Sequence, residues 1–209
     1  MLETVDLDCQ RGDRQLFAGL ALHVEPGACL HVAGENGSGK TSLLRILCGL
    51  MAPTAGAVHW NGEDIRRSRE TYWEQLAYVG HLNGVKDDLT AAENVHVSAA
   101  IAGWPADAAT VRAALRAFGL AGFEDRPART LSQGQRRRIA LARLRCASAT
   151  RLWILDEPFT ALDTRGVGAL SELIGAHLAR QGSVVLTTHQ EVTLPGRVER
   201  IELPAMSHA

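Results

Sequence analysis

Hydrophobic and polar positions along this chain follow two rhythms. Short apolar, β-prone runs stand at residues 29–33 (CLHVA), 76–79 (LAYV), 152–155 (LWIL) and 183–187 (SVVLT). Runs that are apolar at nearly every position, alternating with helical stretches, predict strands of a parallel sheet covered on both faces. The front of the chain differs. Residues 2–8 set Leu2, Val5 and Leu7 among polar neighbours, which predicts an edge-type strand. Residues 20–24 predict another, closed by the turn Glu25-Pro26-Gly27, and Asn61-Gly62 between the short flanks of 58–65 predicts a hairpin. From Thr90 to about Cys146 the period turns helical: Ala-rich at 91–102, 3.6-periodic at 107–118, and Arg-rich after Ser132. A further helix is predicted from about 165 to 180. The pattern predicts one α/β unit over residues 1–209. It has a parallel-sheet core, a small antiparallel β part and a helical subdomain inserted at about residues 84–148.

Composition narrows the partners. The 209 residues suit one α/β domain, and the net charge of −1 leaves no global basic field to attract nucleic acid. No apolar run reaches the ~18–20 residues that cross a bilayer, and the opening MLETVDLDCQRGD is acidic without the apolar core of a signal peptide. Cys9, Cys29, Cys48 and Cys146 are scattered with no C-x-x-C pair, which predicts buried free thiols in a reducing compartment. The expectation is a chain that is cytosolic and soluble by itself.

The chemistry concentrates at Gly34 to Thr41, GENGSGKT, between the 29–33 strand and an apolar helix stopped at Gly49. This is G-x-x-x-x-G-K-[ST] in its strand–loop–helix context, a phosphate-binding loop. Gly34, Gly37 and Gly39 let the backbone turn and present N–H groups to phosphate oxygens, and the helix dipole adds to them. Glu35, Asn36, Ser38 and Ser42 complete the segment expected to contact the nucleotide. Lys40 is expected at the β- and γ-phosphates and Thr41 on Mg²⁺. Lys40 and Lys86 are the two lysines in a chain that otherwise uses arginine, so a compact ammonium is chemically required at this position. The 152–155 strand ends in Asp156-Glu157, at the sheet edge where ligands bind in open α/β folds. Asp156 is expected to hold Mg²⁺ and Glu157 to polarise the attacking water. Ser132, in LSQGQ, predicts an N-cap, and Gly134 leaves an anion free to approach the amides of that helix. One copy has no second phosphate for this helix end to receive, so it is expected to complete the site of another copy.

These segments resemble the motifs of ABC ATPases. LSQGQ is similar to the signature LSGGQ, GENGSGKT to the Walker A loop and LWILDEP to the Walker B strand with its glutamate. Ala161-Leu162-Asp163 resembles the D-loop and Thr188-His189 the switch histidine, all in the family's order. The resemblance implies a P-loop NTPase fold of the ABC ATPase type. It also implies a head-to-tail homodimer with two ATP molecules between the Walker A loop of one subunit and Ser132, Gly134 and Gln135 of the other, and His189 sensing the γ-phosphate. Two positions depart from the pattern. His81 stands where a metal-contacting glutamine is usual, and its imidazole can still make one hydrogen bond there. Arg11 stands where an aromatic usually stacks on adenine; it either stacks as a cation or belongs to a solvated loop.

The Gly80-His81 loop, Gly122-Phe123-Glu124-Asp125, LWILDEPFTALD and LTTHQ in so short a chain resemble the haem exporter ATPases of bacterial cytochrome c maturation. That implies separate transmembrane permease subunits gripped by the helical subdomain and the loop at 81–86. It also implies haem handled by the complex rather than bound by this chain, and a peripheral place on the cytoplasmic side of the inner membrane. An ABC ATPase serving another cargo, or a soluble one such as those of iron–sulfur assembly, stands as the alternative. Arg136, Arg137 and Arg138 read as a solvated helix face with one arginine near the nucleotide interface. Trp60, Trp73, Trp104 and Trp153 read as packing residues, and His31 and His59 as structural histidines.

Overall fold

The structure, a computed structural model, describes residues 1–203. Five parallel strands form its centre. They are β3 (Ala28–Ala33), β6 (Leu76–Val79), β7 (Leu152–Leu155), β8 (Ser183–Thr187) and β9 (Arg197–Glu202), in the order β6-β7-β8-β3-β9. A second, antiparallel sheet is built from β1 (Leu2–Arg11), β2 (Arg14–Val24), β4 (Ala55–Trp60) and β5 (Glu63–Asp64), ordered β2-β1-β4-β5. The helices are α1 (Lys40–Leu47), α2 (Arg69–Glu74), α3 (Ala91–Ile101), α4 (Ala108–Ala117), α5 (Gln133–Ala142) and α6 (Thr164–Ala179).

Period-two alternation divides the central strands between two cores. Trp153 and Leu155 of β7, Val184 and Leu186 of β8, and Cys29 of β3 face α6 and the helical stretch of α3, α4 and α5. Their neighbours Leu152, Ile154, Val185, Leu30 and Val32 face α1 and the antiparallel sheet. Each of these strands is buried on both sides, which is why its sequence is apolar at successive positions. The rings of Trp153 and His177 stack at 4.0 Å with 13° between their planes, filling the space between β7 and α6. All four cysteines are free and buried, as the pattern predicts.

The helix starts follow the capping residues. Thr90 and Glu93 form a reciprocal capping box on α3, Ser132 and Gln135 form one on α5, and Asp107 and Asp163 cap α4 and α6. No helix among the described residues is long and apolar enough to cross a membrane.

Three elements differ from the sequence expectation. β1 is an interior strand, paired with β2 on one side and β4 on the other; alternation reports which face is buried, not whether an edge is paired. β9 is unpredicted because its residues are largely exposed and charged, and it joins the sheet through backbone pairing with β3. The six-residue α2 buries Tyr72, whose hydroxyl donates to the Leu47 carbonyl at 2.6 Å, and it is too short for a helical period to register.

Candidate active site

β3 runs straight into the glycine loop, and α1 begins at Lys40 with no side-chain cap and no acidic residue in its first turn. Its first N–H groups are therefore left to whatever the loop encloses. Gly34 has φ +144°, and a Cβ there would lie 2.7 Å from Ser38 Oγ. A side chain there would force Ser38 or the turn itself to shift. Ser38 Oγ is buried without a hydrogen-bond partner. Lys40 Nζ folds back over the loop, donating to the Gly34 and Glu35 carbonyls at 2.7 and 2.9 Å.

The parallel register brings the acidic pair to the same place. Leu155 pairs with Leu186, so Asp156 and Thr187 emerge side by side. Thr187 Oγ1 donates to Asp156 Oδ1 at 2.9 Å and accepts from the Glu157 N–H at 2.9 Å. Thr41 Oγ1 donates to Asp156 Oδ2 at 2.9 Å. Asp156 is 2% exposed, so its charge is buried against hydroxyl groups. Its two carboxylate oxygens each accept one hydroxyl hydrogen bond, and the buried guanidinium of Arg137 lies on its backbone carbonyl. Glu157 stands at φ +48°, a left-handed conformation that costs an ordinary residue about 1–2 kcal/mol. Its Oε1 is buried with no hydrogen-bond partner, and His189 Nε2 lies 3.5 Å from it.

These groups line one cleft of about 840 Å³. Its wall includes Asn36, Gly37, Gly39, Lys40, Thr41, Ser42, His81, Asp156, Glu157 and His189, together with Arg11 at the end of β1 and Arg14 at the start of β2. A neighbouring cleft of about 880 Å³ shares Asn36 and His189 and takes in Gly34 and Glu35. Ser132, Gly134 and Gln135 line neither cleft. The missing side chain at Gly134 makes room for this chain's own Ala161 carbonyl, 2.8 Å from where a Cβ would be. His31 also lines the neighbouring cleft, with its Nε2 hydrogen-bonded to the Thr188 carbonyl at 3.1 Å.

The solvated reading of the arginine run fails at its centre. Arg137 is 4% exposed and reaches inward from α5. Its guanidinium donates to the carbonyls of Gly80, Asp156 and Glu157 and to Asn83 Oδ1 at 2.8–3.1 Å. Burial lowers its pKa from the usual arginine value, partly offset by the Asp156 charge. Arg136 bridges to Asp87 at 2.8 Å and Arg138 to Asp163 at 3.4 Å, so all three have partners within the chain. Arg143 adds a further tie, donating to the Tyr78 carbonyl at 2.7 Å. Sequence reasoning also passed over Thr187 and Arg14. The Thr187 signal was present as a hydroxyl before Thr188-His189, but its partner depends on the register of β7 against β8.

A glycine loop between β3 and α1, a buried Asp at the end of β7 and a helical section leading into α5 make up an ATP-binding domain of the ABC class. The ABC transporter family matches residues 17–160. The cytochrome c biogenesis ATP-binding export protein CcmA of Nitrosospira multiformis is 51% identical over 97% of this chain and 98% of its own length. A solved ATP-binding subunit of an ABC transporter superposes with a TM-score of 0.80 at 28% identity, covering 90% of this chain and 79% of that one. A dimeric ATP-binding cassette in a post-hydrolysis state with ADP and Pi shares the fold, with a TM-score of 0.78 at 23% identity over 91% and 88% of the two chains. The chain belongs to the ABC transporter ATP-binding family and, within it, to the CcmA family.

Proposed function

We propose that this chain is the ATP-hydrolysing subunit of a membrane complex that drives haem export, or release of haem to its carrier, in cytochrome c biogenesis. The observation that carries the reading is the 51% identity, over nearly the whole chain, to an export protein of that pathway. The arrangement of one cleft supports it chemically.

ATP is the substrate of that cleft. The loop amides and Lys40 would hold its phosphates, with the Lys40 ammonium exchanging its two carbonyl partners for phosphate oxygens. The hydroxyl of Thr41 and the carboxylate of Asp156 form a hard-oxygen pair that fits Mg²⁺. That ion keeps several waters and shares phosphate oxygens rather than needing an all-protein cage. When bound, Mg²⁺ supplies charge neutralisation at the phosphates. The unpartnered Oε1 of Glu157 suits a water that it would orient and polarise, and His189 beside it would face the γ-phosphate. His81 would contribute a hydrogen bond near the metal, and Arg11, in the cleft wall, would meet the base.

Ser132, Gly134 and Gln135 stand outside this cleft, and we assign them to the second nucleotide of a homodimer. The dimeric cassette of the same fold supports that assembly. Separate permease subunits would supply the membrane-spanning part. The chain would work at the cytoplasmic side of the inner membrane, with haem handled by the complex.

The test is recovery of the tagged chain, at native abundance, from detergent-solubilised membranes, with ATPase activity measured on the recovered material. Small multi-span proteins and a haem-binding periplasmic carrier are expected to come with it. An unrelated permease would leave the ATPase and remove the haem, and recovery without any membrane protein would remove the transport reading.

A further inference from the structure

Arg137 does not line the nucleotide cleft, yet it is bonded to two of the segments that do, the strand end at Asp156-Glu157 and the loop that carries His81. Nη2 donates to the carbonyls of Asp156 and Glu157, at 2.9 and 2.8 Å. Nη1 donates to the Gly80 carbonyl at 3.0 Å and to Asn83 Oδ1 at 3.1 Å. The first two acceptors belong to the segment that presents the catalytic carboxylate. The other two belong to the loop between β6 and α3. His81 of that loop lines the cleft, and Leu82 projects to solvent with 84% of its surface exposed.

The Glu157 peptide is held from both sides. Its N–H donates to Thr187 Oγ1, and its carbonyl accepts from Arg137, with the Thr160 N–H joining at 3.2 Å. A residue kept at φ +48° needs such surroundings, because its left-handed backbone relaxes once they are removed. The direction of the Glu157 carboxylate follows from that backbone. A planar guanidinium can bridge two pairs of acceptors at once, which an ammonium on a flexible stem cannot do.

We infer that Arg137 is the positioning residue for Glu157, and that its bond to Asn83 ties the setting of Glu157 to the conformation of the 80–86 loop. A displacement of that loop moves Asn83 and the Gly80 carbonyl. The guanidinium, shared with the Asp156 and Glu157 carbonyls, turns with them. The inference rests on the ATPase reading, since it concerns the step that Glu157 carries.

The experiment measures kcat and KM for ATP, nucleotide affinity without metal, and the thermal midpoint, on the full chain. Its variants are Arg137→Lys, Asn83→Ala, Asn83→Asp and the double variant Arg137→Lys with Asn83→Ala. Arg137→Lys is expected to lower kcat about thirtyfold with KM and nucleotide affinity within about threefold, the pattern of lost transition-state positioning rather than lost binding. Asn83→Ala is expected to lower kcat about three- to tenfold with an unchanged thermal midpoint, the range of a coupling that acts through a neighbour. Asn83→Asp keeps an acceptor oxygen and is expected to retain kcat. The double variant is expected to be no slower than Arg137→Lys alone, because both changes break one link.

Wild-type kcat in Asn83→Ala, or additive losses in the double variant, would overturn the inference. If Arg137→Lys does not fold, the Asn83→Ala and Asn83→Asp pair decides alone. A wild-type chain that turns over no ATP would instead remove the ATPase reading itself.

Discussion

Thr41 and Asp156, 115 residues apart, are joined by a 2.9 Å hydrogen bond from the Thr41 hydroxyl to Asp156 Oδ2. Thr41 lies near the start of α1, which follows β3, and Asp156 follows β7; the two strands are not neighbours, since β8 lies between them. The bond forms because α1, after the glycine loop, sets Thr41 in its first turn facing the Asp156 side of the sheet. It gathers the loop, the buried carboxylate and Glu157 into one site, and the consequences can be measured.

Lys40→Ala removes the ammonium that spans the loop. Nucleotide affinity is expected to fall about a hundredfold, near 3 kcal/mol, the scale of a charge-assisted hydrogen bond to phosphate. The chain is expected to stay folded, because the vacated carbonyls of Gly34 and Glu35 belong to a loop open to water. Titration with a fluorescent nucleotide checks this, and unchanged affinity would remove Lys40 from the phosphate site.

Glu157→Gln keeps the shape of the side chain and removes its basicity. Nucleotide binding is expected to survive while kcat falls about 10²- to 10⁴-fold, the usual contribution of a general base. With turnover blocked, a nucleotide-bound dimer is expected to accumulate, visible as a shift in size-exclusion elution on adding MgATP. Normal turnover would show that another group handles the water.

His177 gives stability a pH dependence. Burial against Trp153 lowers its pKa to about 4 from the ordinary 6.5, and the nearby charges of Arg180 and Arg151 act in the same direction. The unfolded chain therefore binds a proton that the folded chain refuses. Its neutral form is fully compatible with folding above pH 6.5, and stability declines as pH falls from there toward 4. The loss is at most about 3 kcal/mol. Denaturation midpoints at pH 7.5 and 5 measure it, and His177→Phe, which keeps the stacked ring, is expected to flatten the slope. An equal slope in that variant would place the effect elsewhere.

Gly56 marks where β4 crosses the irregular pairing in β1. A Cβ there would lie 2.3 and 2.4 Å from the carbonyls of Asp6 and Val5, and Gly56 has φ +81°. Gly56→Ala is expected to destabilise the chain by about 2 kcal/mol or more, from the strained backbone and the displaced strand together. A thermal midpoint unchanged by the substitution would show that the bulge yields freely.

Much of the fold was legible because its signals are local. The runs at 76–79, 152–155 and 183–187 form strands with those bounds, since residues buried on both faces must be apolar in succession. Ser132 caps its helix as its side chain predicts, and Asn61-Gly62 turns the β4–β5 hairpin with both residues at positive φ. β9 escaped notice because an exposed edge strand needs only backbone pairing. The arginine run misled because charge on a helix usually faces water, and nothing adjacent in the chain shows that Arg137 has four oxygens waiting for it.

The order of residues alone settles that a glycine loop follows a buried strand and that a carboxylate pair ends another. These follow from backbone freedom, capping and burial within a few neighbouring positions. Tertiary structure alone decides that Thr187 braces Asp156 and Glu157, and that Arg137 links their carbonyls to the 80–86 loop. Those contacts depend on the register of β7 against β8 and on the packing of α5 over the strand ends. Buried hydrogen bonds select their partners by geometry across the fold, not by distance along the chain.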